Sequence, residues 1–277
     1  MSRESIDQED EFPEKGSPLT VLVVGRDGSG KSATGNTLLC NDRAFETSDT
    51  MRFSNICQMK HGKVSGRKIQ VFDVPNLPSR KVGIHKARTE LRRCFQIATG
   101  DVDAFLWTIR YGHRFDELDE EFLQDCVLYF GPKFYDFAVL VVTHADLQTK
   151  NNDRLSTLGK HVKNADDYID EQPLPLFSVV RDKFNGRFIF IDNYSARDGA
   201  SENEAGRLIQ VLDKMQTNSF AQYREEDFLL AAAPSKLEVE ESRATEDGRS
   251  GCTWCCLLLP FWCKCAHRRK VQACCFD

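Results

Sequence analysis

The stretch Gly25-Arg26-Asp27-Gly28-Ser29-Gly30-Lys31-Ser32 sets a glycine four residues ahead of Gly-Lys-Ser, the spacing of a loop that wraps phosphate. Glycines let the backbone curl so that successive N–H groups point inward at phosphate oxygens. A helix starting at the loop's end adds its positive terminus. The expected contacts are Gly25, Asp27, Gly28, Ser29, Gly30, Lys31, Ser32 and Ala33. Lys31 is expected on the β- and γ-phosphates and the Ser32 hydroxyl on Mg²⁺. Asp73 closes a second run, Lys68–Asp73, where a carboxylate is placed to hold the same Mg²⁺ through water. A turn- or helix-capping aspartate is the plainer reading of that residue taken alone. Residues 74–83 would then form a loop that senses the γ-phosphate.

A second group of residues is suited to reading a base. Thr143-His144-Ala145-Asp146 follows the apolar run Phe137–Val142 and stands where GTP-binding proteins carry Asn/Thr-Lys-x-Asp. The Asp146 carboxylate can accept from both the N1–H and the exocyclic amine of guanine. Adenine offers no such pair of donors, so a site of this kind rejects ATP. His144 replaces the usual lysine and can stack on the base plane. Asn193, after Arg187–Ile191, is placed to meet guanine from the other side. Taken singly, Asp146 also suits a helix N-cap and Asn193 a turn. An ATP-using protein would require Asp146 to be no more than that cap.

The third chemistry lies at the C-terminus. Of eleven cysteines, Cys40, Cys57, Cys94 and Cys126 are scattered and read as buried, inert thiols. The others are Cys252, Cys255, Cys256, Cys263, Cys265, Cys274 and Cys275. They accompany Trp254, Leu257–Leu259, Phe261 and Trp262, with His267, Arg268, Arg269 and Lys270 following. Aromatic side chains suit a membrane interface, basic ones anionic headgroups, and several thiols S-palmitoylation. A zinc site built from Cys252, Cys255, Cys263, Cys265 and His267 and an unstructured tail are the competing readings. The closing Cys-Cys-Phe-Asp fits a prenylation box poorly.

The elements that must position the first two groups follow from hydrophobic pattern. Leu19–Val24, Lys68–Asp73, Asp103–Ile109, Phe137–Thr143 and Arg187–Ile191 read as strands. Ile84–Ile97, Glu117–Phe130, Leu155–Ile169 and Glu202–Met215 read as helices, and another helix follows the phosphate loop. Strands alternating with helices imply an α/β fold with a mainly parallel central sheet covered on both faces. Ligands on such sheets bind beyond the carboxyl ends of the strands, where the candidate residues fall.

The 277 residues, 41% hydrophobic, suffice for one domain with tails. The expected division is an acidic, disordered stretch at 1–16, a domain at 17–232, a flexible linker at 233–251 and the cysteine-rich tail at 252–277. A net charge of -5 gives no reason to expect nucleic-acid binding. No apolar run approaches the roughly 18 residues of a membrane helix, and residues 1–18 lack a signal-peptide core. A reducing, cytoplasmic setting is expected.

On these residues the chain resembles the AIG-type GTPases, the immune-associated nucleotide-binding proteins, over about residues 19–220. Gly28 through Leu39 looks like that family's phosphate loop and helix start. Asp103 to Asp119, with Arg110-Tyr111-Gly112-His113-Arg114-Phe115, looks like its own box. Arg187-Phe188 with Asp192-Asn193 looks like its fifth motif. Septins and the chloroplast import GTPases carry similar domains. The resemblance implies a P-loop fold of the Ras-like G-domain type, GTP or GDP with Mg²⁺, slow hydrolysis, and homodimerisation across the nucleotide face. It places Ser54 where the family has its switch threonine, on Mg²⁺ or the γ-phosphate. Asn76 stands where the family has a glycine whose N–H meets the γ-phosphate, which bears on switching, and Leu77 stands where other GTPases place a catalytic glutamine. With the tail, the implied protein is a switch or assembling scaffold on the cytosolic face of a membrane. An inert nucleotide-dependent scaffold is the second reading.

Overall fold

A computed structural model describes residues 18–47, 57–74, 84–98, 101–194, 201–218 and 222–232. Ser54, Asn76, Leu77, all but Val74 of the loop expected at 74–83, the segment 1–16, the linker expected at 233–251 and every tail cysteine lie outside those residues.

β1 (Leu19–Gly25) is buried along its whole length, which requires cover on both faces of the sheet. Its side chains alternate as strand geometry demands. Leu22 and Val24 join one apolar cluster, Val21 and Val23 the other. In chain order there follow α1 (Lys31–Leu38), β2 (Gln58–Val64), β3 (Arg67–Asp73), α2 (Ile84–Ile97), β4 (Asp101–Val102), β5 (Ala104–Arg110), α3 (Glu117–Phe130), α4 (Phe134–Phe137), β6 (Ala138–Thr143), α5 (Ala145–Thr157), α6 (Ala165–Asp170) and α7 (Leu174–Ser178). A π-helical turn at Val179–Lys183, β7 (Phe188–Ile191), α8 (Ser201–Asn218), β8 (Tyr223–Arg224) and α9 (Glu225–Ala232) complete the described chain. The main sheet runs β2-β3-β1-β5-β6-β7, parallel throughout except for β2 against β3. β4 and β8 form a separate two-stranded ribbon.

One face carries Leu38 of α1 and Leu208 and Leu212 of α8 against Val71, Leu106, Val139 and Ile191. The other is aromatic. Phe105 meets Phe130, Phe134 and Tyr223 with ring centroids at 4.7, 5.1 and 5.0 Å. Phe228 of α9 stacks on Phe95 of α2 at 4.8 Å, and Tyr223 Oη donates to the Phe130 carbonyl at 2.6 Å. The chain up to Ala232 is therefore docked on the domain by aromatic burial.

The strands expected from the sequence are present to within a residue at each end, and α2 and α3 have the expected limits. Three expectations are corrected. Leu155–Ile169 is not one helix: α5 ends at Thr157, Gly159 takes φ +65°, and α6 starts afresh behind an Asn164–Asp167 capping box. β2 was not expected; it is a largely exposed edge strand of Gln, Lys, His and Gly with little apolar pattern to reveal it. Cys57 and Cys94 are not free thiols but joined in a disulfide, which leaves Cys126 buried and Cys40 half-buried as the free cysteines among the described residues.

Candidate functional site

The parallel strands β1, β3, β6 and β7 bring their carboxyl ends to one edge of the sheet. The β1 loop is held in shape by close approach. A Cβ on Gly25 would lie 2.2 Å from Thr108 Oγ1 and 2.6 Å from Ser29 Oγ, so no side chain fits. Gly28 and Gly30 take φ +74° and +94°, the left-handed region that costs other residues strain, and Gly30 caps α1 from there. Ser29 is pinned by its hydroxyl to Thr108 Oγ1 at 2.6 Å. Thr34 N donates to the Gly30 carbonyl at 2.8 Å as α1 begins.

Lys31 Nζ donates to the carbonyls of Gly25 at 2.9 Å and Arg26 at 3.1 Å. Burial lowers its pKa from the ordinary lysine value, and the Asp73 and Asp27 carboxylates oppose that shift. Asp27 itself is exposed on the rim of the loop. Ser32 Oγ donates to Asp73 Oδ2 at 2.5 Å. Burial raises the Asp73 pKa, with the Ser32 hydroxyl and the Lys31 charge working against it. A hydroxyl and a half-buried carboxylate in contact are hard oxygen donors of the kind Mg²⁺ takes, so Ser32 and Asp73 fit the ion expected there. Ala33 lies in the first turn of α1, in register for a backbone N–H contact.

Thr143 couples this loop to the expected base site. Its hydroxyl donates to the Ser29 carbonyl at 2.9 Å, lies 2.9 Å from His144 Nδ1, and its methyl group backs Gly30. His144 is the N-cap residue of α5 and takes φ +60°, in the left-handed region. Burial, with the Arg110 charge, lowers its pKa, while Asp146 and Asp192 oppose the shift. At neutral pH the ring is therefore uncharged and suited to stacking on a base. Asp146 sits in the first turn of α5, not at its cap, and its Oδ2 accepts from Lys150 Nζ at 2.9 Å. The helix-cap alternative for Asp146 thus has no support in this geometry.

Asn193 is placed differently. Thr37 Oγ1 donates to its Oδ1 at 2.8 Å and its Nδ2 donates to Thr34 Oγ1 at 3.2 Å, so the amide ties β7 to α1. Asp192, its neighbour in the chain, acts electrostatically on His144. Sequence reasoning also missed Thr108, whose hydroxyl lies against Ser29 and the Val24 carbonyl, because a threonine inside an apolar strand carries no motif. Gly112, His113, Arg114, Tyr168, Glu171, Gln172 and Pro173 line a cavity of about 480 Å³, but none of the phosphate- or base-site residues does. No described helix is long and apolar enough to cross a membrane.

The AIG1 family model matches residues 19–242. Immune-associated nucleotide-binding protein 7 of Arabidopsis thaliana is 28% identical over 202 residues, 71% of this chain and 60% of its own length. GTPase IMAP family member 8 of Mus musculus is 33% identical over 132 residues, 47% of this chain and 19% of its own. The chain thus spans 60% or less of these relatives. Among solved structures, one concerned with dimerization in the GTPase activity of the chloroplast translocon components atToc33 and psToc159 superposes with a TM-score of 0.56 at 21% identity, covering 75% of this chain and 86% of that one. Toc33 of Arabidopsis thaliana in complex with GDP and Mg²⁺ gives 0.52 at 19%, covering 75% and 87%.

Proposed function

The chain belongs to the AIG1 family, and from that membership and the joined phosphate and base loops we propose that it binds GTP and GDP with Mg²⁺ and hydrolyses GTP slowly. The observation that carries this is the Thr143–Ser29 bond at 2.9 Å: residues suited to phosphate and residues suited to guanine form a single continuous site. Lys31 and the loop N–H groups hold the phosphates, Asp146 reads guanine, and His144 stacks on it. Ser32 and Asp73, joined by Ser54, hold the metal, which supplies charge neutralisation at the phosphates. The plant relatives' name, nucleotide-binding proteins, and the GDP and Mg²⁺ of the Toc33 complex agree with this reading.

Turnover is proposed to depend on pairing of two chains across the nucleotide face. Leu77 offers no polar group to orient water, and dimerization is described as important for the GTPase activity of the chloroplast translocon components atToc33 and psToc159. Purified protein should contain guanine nucleotide, and its specific activity should be low when dilute and rise with protein concentration. Fast turnover that stays flat over a wide concentration range would sink the pairing. Bound guanine nucleotide with no turnover at any concentration favours the inert scaffold, with Asn76 as the residue that stops switching. Preference for ATP in competition would remove the guanine reading.

The same proposal places the protein on the cytosolic face of a membrane through its tail. Trp254, Phe261 and Trp262 with His267, Arg268, Arg269 and Lys270 give weak attachment, at about 1 kcal/mol per basic residue near an anionic surface. Acyl chains on Cys252, Cys255, Cys256, Cys263, Cys265, Cys274 and Cys275 add ~0.8 kcal/mol per buried methylene and make release slow. Changing all seven to serine should move the protein from membrane to supernatant with GTP binding intact, and hydroxylamine should do the same to the wild type. Retention of the serine variant on membranes would exclude lipidation as the anchor. Stoichiometric zinc in the purified protein would favour the metal reading.

A further inference from the structure

The phosphate loop makes one contact that its motif does not require. Arg26 Nη1 donates to Asp116 Oδ1 and to Asp119 Oδ1, each at 2.9 Å. These two acids are the capping box of α3: Asp116 Oδ1 accepts from Asp119 N at 3.0 Å, and Asp119 Oδ2 from Asp116 N at 3.1 Å. His113 Nε2 lies 3.0 Å from Asp119 Oδ2. The three side chains His113, Asp116 and Asp119 could by composition hold a metal ion, but the guanidinium already stands among their oxygens. The Asp119 side chain is only 6% exposed and that of Arg26 30%, so the pair is partly shielded from water.

The other end of Arg26 belongs to the site. Its carbonyl accepts from Lys31 Nζ at 3.1 Å and from Ser29 N at 3.2 Å. A continuous path therefore runs from the α3 N-terminus through the Arg26 side chain and backbone to the ammonium expected on the phosphates. Resting on the phosphate-site reading above, we propose that Arg26 is a positioning residue for nucleotide. Clamped to Asp116 and Asp119, it fixes its own carbonyl and, through that carbonyl, the place of the Lys31 ammonium. Burial works against the Arg26 cation, and the bonds and charges of Asp119 and Asp116 outweigh it, leaving its pKa above the ordinary value. The guanidinium thus remains a cation throughout the physiological range.

The test is the affinity of the full chain for GTP and GDP, with Mg²⁺ present, alongside the melting temperature of each variant. Arg26→Met should weaken both nucleotides by roughly threefold to tenfold, mainly through faster release. Arg26→Lys, which keeps the charge but not the fork, should recover part of the loss. Asp116→Asn removes one charge while keeping a good N-cap, so α3 should stay folded and the loss should be smaller. Arg26→Met combined with Asp116→Asn should bind no more weakly than Arg26→Met alone, because both act through one contact. A lowered melting temperature with wild-type affinity in Arg26→Met and Asp116→Asn would overturn the proposal and leave the clamp as a purely structural one. If Arg26→Met does not fold, Asp116→Asn decides alone: a wild-type release rate overturns the proposal. A wild type that binds no guanine nucleotide would overturn this inference together with the phosphate-site reading, whereas wild-type binding with unaffected variants overturns this one only.

Discussion

Lys31→Ala should lower GTP affinity roughly 100-fold or more while leaving the nucleotide-free fold close to its original stability. The two halves have one cause. Burial disfavours the Lys31 ammonium in the empty site, and the Asp73 and Asp27 charges only partly oppose it. Alanine removes that penalty along with the bonds to the Gly25 and Arg26 carbonyls, so the nucleotide-free protein has little net to lose. With nucleotide the balance changes. The ammonium then faces phosphate oxygens, where each charge-assisted bond contributes about 1.5–3 kcal/mol and every 1.4 kcal/mol is tenfold in affinity. The measurements are the dissociation constants for GTP and GDP, the nucleotide carried through purification, and the melting temperature of stripped protein. An unchanged dissociation constant would refute the phosphate-site assignment; a collapsed melting temperature would mean that Lys31 serves the fold instead.

The parts of this site that were legible in the sequence are those whose chemistry is local in the chain. The phosphate loop is eight consecutive residues between a buried strand and a helix, and the backbone dihedrals of Gly28 and Gly30 are what its spacing demands. Asp73 and Thr143 each end a strand of the main sheet, as expected, and parallel strands deliver their carboxyl ends to one edge. What was not legible depends on contacts between distant residues. Asn193 and Thr37 are 156 residues apart, and only the seating of α1 beside β7 decides that the amide meets the helix. The Arg26 clamp spans 90 and 93 residues and follows from where α3 starts relative to the phosphate loop. Helix limits show the same division. α3 announces itself with Asp116 at its N-cap, Asp119 in its first turn and Gly131 behind it, whereas the apolar residues of Leu155–Ile169 continue at helical spacing across a break that Gly159 and Asn164 impose.

Asp146→Asn should exchange one base for another without removing phosphate binding. In the wild type the carboxylate accepts from guanine N1–H and from the exocyclic amine. In the variant the amide oxygen still accepts from N1–H, but its N–H₂ group is set against the guanine amine, donor against donor. Xanthine carries a carbonyl in place of that amine, so the same N–H₂ now has an acceptor, whereas the wild-type carboxylate would meet that carbonyl oxygen with its own. GTP binding should fall roughly 10- to 150-fold, the equivalent of about 1.5–3 kcal/mol for one charge-assisted bond, and XTP binding should rise. The local structure gives little reason for the fold to fail. Asp146 lies in the first turn of α5 but does not cap it, and its side chain pairs with the exposed Lys150. Losing a negative charge at a helix N-terminus costs the helix only a fraction of a kcal/mol to about 1 kcal/mol. His144, which precedes it with its ring held near Thr143, is untouched and keeps its place against either base. Competition between GTP, XTP and ATP on the wild type and the variant reads the result directly. A variant that keeps the wild-type preference for GTP over XTP would show that Asp146 does not read the base, and if ATP competed equally on the wild type, the Thr143–Asp146 loop would have no role in choosing the nucleotide.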